Sequence, residues 1–328
     1  MSLLLLRSCL RNHAQASYRQ FSTQSASNLL LHEVTPRDGL QNEKKRLTVE
    51  QKEALIEKLI TLGPKSIEIA SFVRGDLVPN MAGASDLCKR LGSNEKFIEF
   101  KKNGGSSAAL VPNMKGFEEL LKNKNVLDTA VVLVSCTDSH SKANVNRTMK
   151  EAMKATLSII DVAKQEGLKV RAYASLAFGC PFEGKVPPER VVDLIGEYDQ
   201  HKADRLMLAD TLGVGLPNQV EDLLFRLKLQ LNINSDKVGL HLHDSHSKAH
   251  ENVMTAWKLG VRDFDAAVGG CGGCNFAPGS KGNVSIEKLL WAIEKVGPKQ
   301  KLDKSRLRSI NNDLSSMLER RLEGEEYS

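Results

Sequence analysis

Leu29-Leu30-Leu31-His32-Glu33-Val34-Thr35-Pro36-Arg37-Asp38 is the stretch that decides the fold of this chain. Its apolar beginning predicts a buried first β-strand over residues 29–34, and its end places an arginine beside an aspartate. Charged groups taken out of water need a partner or a metal ion. An open doubly wound sheet commonly carries a glycine-rich fingerprint at this point, whereas a Pro-Arg-Asp sequence stands here. The stretch therefore favours a barrel over an open sheet.

Seven further apolar runs follow the first, with amphipathic segments between them. Strands that alternate with helices imply a parallel sheet. Eight such units predict an α/β fold of the (β/α)8, or TIM barrel, type. The predicted strands are Leu29–Val34, Ser66–Ser71, Ala108–Val111, Ala130–Ser135, Val170–Ala177, Leu206–Ala209, Val238–His243 and Phe264–Val268.

Helix signals support this organisation. Thr48 and Gln51 have capping-box spacing before an apolar stripe, and Pro187-Pro188-Glu189 is typical of a first helical turn. Near the end, residues 307–318 carry apolar side chains at helical spacing, which predicts a C-terminal helix on the outside of the barrel or at a subunit contact. We therefore divide the chain into residues 1–27, a catalytic barrel over 28–298, and a C-terminal helix and tail over 299–328.

The first 27 residues have the composition of a mitochondrial transit peptide. They contain Arg7, Arg11 and Arg19, several serines and no acidic residue. A secretory signal is the alternative, but its apolar run, Leu3–Leu6, is short before Arg7 interrupts it. We expect the mature protein in the mitochondrial matrix.

Composition argues against several other classes of protein. The net charge is +6, and no basic patch with interleaved aromatic residues indicates a nucleic-acid partner. Six cysteines in a chain of 328 residues do not resemble the disulfide framework of a small secreted domain. No apolar run approaches the roughly 18 residues that a membrane span requires. We expect neither a nucleic acid nor a membrane as partner.

The active site of a TIM barrel lies at the carboxyl ends of its strands, and this rule selects candidate residues directly from the sequence. His241 and His243 end the seventh strand two residues apart, so their side chains point to the same face. The other residues selected in this way are Arg37 and Asp38 after strand one, Glu68 in strand two, Asp210 at the end of strand six, and Cys274 and Asn283 in the glycine-rich loop after strand eight.

A carboxylate, two imidazoles and an amide oxygen together suit Mg²⁺, Mn²⁺ or another divalent cation with open coordination positions. A single histidine at a strand end is more often a core residue than a ligand, but the His-x-His pair facing Asp38 favours a metal. Glu68 alone is also compatible with a paired structural acid, and Arg37 is its expected partner. Asp210 is equally compatible with a helix cap.

Cys274 belongs to a Cys-x-x-Cys pair with Cys271, a pattern found in zinc sites and redox dithiols. No second pair completes a four-cysteine zinc site. The surrounding glycines indicate instead a mobile loop that places one thiol near the metal, where it can donate or accept a proton at carbon. Oxidation of the two thiols to a regulatory bridge is a further interpretation.

Taken together, these segments resemble the hydroxymethylglutaryl-CoA lyase family of metal-dependent barrel enzymes that make or break carbon–carbon bonds beside a carbonyl. The resemblance extends over about residues 28–300. The segments that carry it are Arg37-Asp38-Gly39-Leu40-Gln41-Asn42-Glu43, Ile67-Glu68-Ile69, Pro112-Asn113-Met114-Lys115-Gly116, Phe178-Gly179-Cys180-Pro181, Leu208-Ala209-Asp210-Thr211-Leu212-Gly213-Val214-Gly215, His241-Leu242-His243-Asp244, Gly272-Gly273-Cys274 and Gly282-Asn283.

The resemblance implies a retro-Claisen cleavage of 3-hydroxy-3-methylglutaryl-CoA to acetyl-CoA and acetoacetate, a step of leucine degradation and ketone body formation. It implies an acyl-CoA substrate, a divalent metal cofactor (Mg²⁺ or Mn²⁺) and a homodimer. The metal would bind the substrate's hydroxyl and carboxylate and lower the hydroxyl pKa. The implied metal ligands are Asp38, His241, His243 and Asn283.

The resemblance also assigns roles in the reaction. Arg37 would face the thioester oxygen, where negative charge develops, and Glu68 would orient Arg37. Cys274 would transfer the proton at the released carbon, and His241 would shuttle the hydroxyl proton.

Three departures from the family pattern lie near the expected substrate pocket: Asn275-Phe276, Ser245-His246-Ser247-Lys248, and Thr137-Asp138 with His140. A lyase for a related 3-hydroxy-3-acylglutaryl-CoA is therefore an alternative, as is a non-catalytic metal-binding paralogue. A Claisen synthase and a His-x-His hydrolase are weaker alternatives, because the former usually has another asparagine in the His-x-His motif and the latter places that motif on strand one.

Overall fold

A computed structural model of the chain describes residues 28–273 and 282–327, so the proposed targeting segment 1–27 and Cys274 lie outside the described residues. Eight parallel strands form a closed barrel in chain order, and the eighth pairs with the first. The predicted TIM barrel is confirmed. The strands are β1 (Leu30–Glu33), β2 (Ser66–Ser71), β3 (Ser106–Leu110), β4 (Thr129–Ser135), β5 (Lys169–Ser175), β6 (Arg205–Asp210), β7 (Val238–Leu242) and β8 (Asp263–Ala266).

Helices surround the barrel and connect its strands. They are α1 (Val49–Ile60), α2 (Ala84–Gly92), α3 (Glu95–Lys102), α4 (Met114–Lys122), α5 (Asp138–Val145), α6 (Met149–Gln165), α7 (Pro188–Gln200), α8 (Pro217–Leu231), α9 (Ala249–Lys258), α10 (Ile286–Val296) and α11 (Lys304–Leu318). The predicted capping box is present at α1, where Gln51 N donates to Thr48 Oγ1 at 3.2 Å and Thr48 N donates to Gln51 Oε1 at 2.9 Å. Pro188 opens α7 as expected. Within the described residues, no helix is long and apolar enough to cross a membrane.

The predicted C-terminal helix is α11, and it packs against the outside of the barrel. Leu307, Ile310 and Leu314 on its inner face are buried. Its polar side contacts α1 through an ion pair in which Lys58 Nζ of α1 lies 2.6 Å from Asp313 Oδ2 of α11. The helix therefore lies on the outer layer that supports strand β1, although it follows that strand by more than 250 residues in the chain.

The first strand ends earlier than its sequence predicts. β1 stops at Glu33, and the chain then forms a single π-helical turn over Thr35–Gly39, in which Gly39 N donates to Val34 O at 3.0 Å. Pro36 has no amide hydrogen with which to continue the sheet. Arg37 and Asp38, which follow the predicted strand in the sequence, therefore lie in this turn rather than on the barrel wall.

Other strand ends also move by one or two residues. β7 ends at Leu242, so His243 lies just past the strand and forms an isolated bridge with Asn283 instead. β8 ends at Ala266, and Val268 begins a short 3₁₀ turn, Val268–Gly270. At these points the chain leaves the barrel wall and begins the loops that carry the candidate site.

The apolar core lies mainly between the strands and the helices. Inside the barrel a smaller apolar cluster is formed by Ala108, Leu110, Val131, Tyr173, Met207 and Ala209. The same interior also contains buried charged residues from β1, β2, β5 and β8. These buried charges determine how the candidate site is held.

Candidate active site

Arg37 and Glu68 form a buried bidentate ion pair at the carboxyl end of the barrel. Arg37 Nε donates to Glu68 Oε1 at 2.8 Å, and Arg37 Nη2 donates to Glu68 Oε2 at 2.9 Å. Burial opposes ionisation of both groups, but each charge stabilises the other, so the pKa of Glu68 is lowered and that of Arg37 is raised. The expected pairing is present, and it leaves Arg37 Nη1 directed toward Asp38.

Asp38, His241 and His243 converge beside this pair. Nε2 of His241 lies 3.9 Å from Asp38 Oδ2, and Nε2 of His243 lies 3.8 Å from the same oxygen. The imidazole rings are 5.2 Å apart between centroids. Burial raises the pKa of Asp38, but the charge of Arg37 and the two imidazoles outweigh it, so the net pKa is well below the usual value. The carboxylate is thus ionised at neutral pH, as a metal ligand must be.

Asn283 joins the same cluster from the loop after β8. Its Nδ2 donates to Asp38 Oδ2 at 2.8 Å and to Cys271 O at 3.0 Å. Its Oδ1 is buried and has no hydrogen-bond partner among the described residues, and the same is true of His243 Nδ1. A buried amide oxygen without a partner is costly. This free acceptor beside a carboxylate and two imidazoles fits the donor set of a divalent cation.

Two glycines allow Asn283 to reach this position. A Cβ at Gly282 would collide with the carbonyl oxygens of Gly270 and Gly272. Gly272 itself has φ +115°, and a Cβ there would lie 2.7 Å from Asn283 Nδ2. The glycine-rich loop is therefore needed for close backbone packing that delivers the amide to the cluster.

Asp210 lies near the cluster but is occupied by the backbone. Its Oδ1 accepts from Val214 N at 3.0 Å and its Oδ2 accepts from Gly215 N at 2.7 Å. Burial raises its pKa despite these bonds. The carboxylate thus organises the turn after β6 rather than capping a helix, and a direct part in catalysis stays a prediction.

Cys271 is the other member of the Cys-x-x-Cys pair, and it is fully buried against the π-helical turn. A Cβ placed on Gly39 would lie 3.1 Å from the Cβ of Cys271. Burial raises the pKa of its thiol well above the usual value. The thiol is therefore protonated at neutral pH and is a poor nucleophile.

The structure adds three site residues that the sequence reasoning missed: Arg171, Tyr173 and Asp265. Asp265 Oδ2 lies 3.1 Å from His241 Nδ1 and accepts from Tyr173 Oη at 2.8 Å. Arg171 Nη2 donates to Asp265 Oδ1 at 2.8 Å. A signal was available, since β5 and β8 carry polar residues at every second position, which places them on one face of each strand.

Two of the departures from the family pattern lie at this end of the barrel. His140 and Phe182 bring the loops after β4 and β5 into contact, with ring centroids 6.2 Å apart. Ser139 N and Oγ both donate to Glu183 Oε1, at 3.1 and 2.6 Å. Ser245-His246-Ser247-Lys248 follows β7. The third departure, Asn275-Phe276, lies outside the described residues.

The family model described as HMGL-like matches residues 28–314, which include the whole barrel and every described candidate residue. This chain belongs to the HMGL-like family. The resemblance inferred from the motifs is confirmed.

Similar proteins fall within the same family. The chain is 35% identical over 279 residues to hydroxymethylglutaryl-CoA lyase YngG of Bacillus subtilis, covering 85% of this chain and 89% of that protein. It is 36% identical over 292 residues to (R)-citramalyl-CoA lyase of Chloroflexus aurantiacus, covering 88% and 91%. It is 31% identical over 310 residues to the mitochondrial hydroxymethylglutaryl-CoA lyase of Homo sapiens, covering 93% and 92%.

Solved structures agree with these relatives. The crystal structure of the Bacillus subtilis HMG-CoA lyase superimposes with a TM-score of 0.84 at 32% identity, covering 93% of this chain and 98% of that one. An HMG-CoA lyase from Acinetobacter baumannii, solved with coenzyme A and 3-methylmalate, has a TM-score of 0.82 at 29% identity, covering 92% and 95%.

Proposed function

We propose that this chain is a carbon–carbon lyase that cleaves 3-hydroxy-3-methylglutaryl-CoA to acetyl-CoA and acetoacetate by a metal-dependent retro-Claisen reaction. The observation that carries the proposal is that two groups of residues meet at the same place. One is the buried Arg37–Glu68 ion pair; the other is the cluster of Asp38, His241 and His243 beside Asn283, whose Oδ1 has no partner among the described residues. Family membership and relatives named hydroxymethylglutaryl-CoA lyase support the same reaction.

We assign Asp38, His241, His243 and Asn283 as ligands of a divalent cation, Mg²⁺ or Mn²⁺. Asp38, His241 and His243 each offer a ligand atom within 4.8 Å of the others. When bound, such a cation acts as a Lewis acid that lowers the pKa of a coordinated hydroxyl. The protein holds these side chains in place through the His243–Asn283 bridge and the loop glycines.

We assign Arg37 to the thioester oxygen. In the reaction the bond between the thioester's α-carbon and the carbinol carbon breaks, and its electron pair becomes the enolate of acetyl-CoA. A fixed donor is most effective where that charge develops. The bidentate bond to Glu68 fixes the guanidinium plane and leaves Nη1 on the side of the metal cluster, where it donates to Asp38 Oδ1.

Two proton transfers complete the balance. The carbinol hydroxyl loses its proton as its oxygen becomes the ketone of acetoacetate. With Nε2 on the metal and the Nδ1 hydrogen donated to Asp265, His241 has no free nitrogen to receive that proton. We therefore assign the proton to solvent, and the shuttling role that the resemblance implies for His241 stays a prediction. The enolate carbon gains a proton to form the methyl group of acetyl-CoA, and we assign this step to Cys274 as the family resemblance implies. Cys274 lies outside the described residues, so the assignment rests on the sequence motif.

A second candidate substrate is (R)-citramalyl-CoA, because a relative named for that reaction is 36% identical over 88% of the chain. The same bond breaks, and pyruvate replaces acetoacetate as the ketone product. The contact between His140 and Phe182 is on the side of the mouth where we expect the two substrates to be distinguished. A larger 3-hydroxy-3-acylglutaryl-CoA is an alternative of the same kind.

The test uses the full chain stripped of metal and resupplied with Mg²⁺ or Mn²⁺. Each acyl-CoA is incubated separately, and acetyl-CoA is quantified together with acetoacetate or pyruvate. We expect equal amounts of acetyl-CoA and acetoacetate, dependent on metal and lost in Arg37→Gln but not in Arg306→Gln, an exposed arginine on α11. Pyruvate alone would move the proposal to the second substrate, and metal binding without any product would favour a non-catalytic paralogue.

We further propose that residues 1–27 direct the chain to the mitochondrial matrix and that the enzyme is a homodimer. The arginine-rich, acid-free composition of that segment and the existence of mitochondrial relatives support the first proposal. A fluorescent fusion with and without residues 1–27 tests the location, and analytical ultracentrifugation tests the dimer. Cytosolic signal from the full fusion, or a monomer in solution, would contradict them.

A further inference from the structure

The ring of His241 is held between two carboxylates. Its Nε2 faces Asp38 Oδ2 at 3.9 Å, and its Nδ1 lies 3.1 Å from Asp265 Oδ2. Tyr173 packs its ring edge-on against the imidazole, with centroids 6.0 Å apart. His243 has no comparable support, since its Nδ1 lacks a partner among the described residues. The two histidines of the His-x-His motif therefore differ in what fixes them.

Asp265 is itself rigidly held. It is 1% exposed, its Oδ1 accepts from Arg171 Nη2 at 2.8 Å, and its Oδ2 accepts from Tyr173 Oη at 2.8 Å. The remaining contact of Oδ2 is His241 Nδ1. Every neighbour in these three contacts can donate a hydrogen bond, so the carboxylate is fixed as an acceptor pointing at the ring.

Arg171 does not need Asp265 to neutralise it. Asp263 already accepts from Arg171 Nη1 at 2.9 Å and from Nη2 at 3.0 Å. Asp263 also pairs with Arg205, whose Nε lies 3.3 Å from Asp263 Oδ2. Arg171 bonds to Asp265 through Oδ1, so Oδ2 is available to accept from Tyr173 Oη and from the imidazole N–H of His241.

We propose that Asp265 is a positioning residue that keeps the His241 proton on Nδ1, so that Nε2 is left unprotonated toward Asp38 and the divalent cation. This rests on the metal site of the proposed function. A carboxylate behind a ligand histidine fixes both its tautomer and its ring orientation. Arg171 and Tyr173 act through Asp265 by holding it in place.

The experiment compares full-length Asp265→Asn with Asp263→Asn, a matched substitution on the same strand that touches Arg171 but not His241. Mn²⁺ affinity is measured from the electron paramagnetic resonance signal of the free ion. Loss of an outer-sphere carboxylate typically weakens metal binding about 10–100-fold. We expect that loss in Asp265→Asn and less than about a three-fold change in Asp263→Asn.

A second readout does not depend on metal. Long-range ¹H–¹⁵N spectra of histidine rings, recorded at alkaline pH where the ring is neutral, report the tautomer in the metal-free protein. Alkaline pH is needed because burial lowers the pKa of His241 but the neighbouring carboxylates outweigh burial and raise that pKa. We expect the neutral His241 ring to be protonated at Nδ1 in the wild type and in Asp263→Asn but not in Asp265→Asn. Tyr173→Phe keeps the aromatic ring and removes one hydrogen bond to Asp265. We expect its Mn²⁺ affinity to lie between those of the wild type and Asp265→Asn. This variant provides the test if Asp265→Asn does not fold.

The outcomes separate the two proposals. If the wild type does not bind Mn²⁺, the proposed metal site is wrong, while the spectra still decide whether Asp265 sets the tautomer. If Mn²⁺ binds and both aspartate variants retain the wild-type affinity and the Nδ1 tautomer, the positioning role of Asp265 is overturned and the metal site stands.

Discussion

The barrel contains two clusters of buried charge that differ in how completely they are paired. The lower cluster consists of Arg171, Tyr173, Asp263 and Asp265, and each of its carboxylate oxygens accepts at least one hydrogen bond. The upper cluster consists of Arg37, Asp38, Glu68, His241, His243 and Asn283. It leaves Asn283 Oδ1 and His243 Nδ1 without partners among the described residues.

The difference indicates different tasks. A fully satisfied buried network makes a protein rigid and fixes one arrangement of its core. A buried acceptor that receives no hydrogen bond lowers the stability of the fold. Such an acceptor is expected where a ligand binds to it. The lower cluster therefore supports the structure, and the upper cluster is where we propose that substrate and metal bind. His241 belongs to the upper cluster but bonds to the lower one, so the supporting network extends directly into the site.

The largest effect we expect is on the lower cluster. Arg171→Met leaves Asp265 buried without a guanidinium partner and leaves Asp263 with Arg205 alone. Removing one partner of a buried ion pair typically costs about 3–5 kcal/mol. Urea denaturation should show this loss, whereas Arg74→Met, which breaks the exposed pair with Asp76, should leave the midpoint unchanged. If Arg171→Met were as stable as Arg74→Met, the lower cluster would not support the structure as we describe.

Glu33 tests the rule that an unpaired buried charge is costly. It is fully buried on β1, and burial raises its pKa to about 8, although hydrogen bonds donated by Thr35 N and Oγ1 act in the opposite direction. The folded protein thus holds a proton that the unfolded chain releases near its usual pKa of 4.5. The stability that this proton provides is complete below that value and is lost as the pH rises through about 8.

We expect the free energy of unfolding to fall by at most about 5 kcal/mol between mildly acidic and mildly alkaline pH from this group alone. Glu33→Gln should remove most of that slope. Urea titrations of both proteins at several pH values measure it, and parallel slopes in wild type and variant would show that Glu33 stays ionised in the fold.

Arg37→Lys separates charge from geometry in the upper cluster. Lysine keeps the positive charge but cannot form the bidentate bond with Glu68. We expect a rate about 10²–10³ below that of the wild type, because a preorganised donor is lost where negative charge develops, with little change in Mn²⁺ affinity. Steady-state kinetics with a parallel Mn²⁺ titration check this. A rate within a few-fold of wild type would mean that charge alone is sufficient.

The smallest effect we expect is stabilisation by the metal. A ligand at 100 times its Kd stabilises the folded state by about 2.7 kcal/mol. Mn²⁺ should therefore raise the melting temperature of the stripped wild type, and EDTA should reverse the change. His243→Ala is the comparison. A Mn²⁺ shift of the same size in that variant would place the ion outside the upper cluster.

Much of the fold could be predicted because its signals are local. Apolar runs, the Thr48–Gln51 capping box and Pro188 each depend on neighbours in the sequence, and all eight strands appear where such patterns occur. The ends of strands were less predictable. β1 stops at Glu33, and a π-helical turn that contains Pro36 follows it, so Arg37 and Asp38 project from that turn.

For the candidate site, the sequence determined the residue types and the end of the barrel where they meet. The carboxyl ends of parallel strands share one face, so Arg37, Glu68, His241 and His243 could be brought together without coordinates. The tertiary structure decided which of them touch. The alternation of polar residues on β8 places Asp263 and Asp265 on one face of the strand. It does not distinguish a paired structural aspartate from one that contacts a histidine 24 residues away. That distinction depends on barrel closure, which places β5, β7 and β8 around one interior, and on burial, which makes each unpaired atom costly.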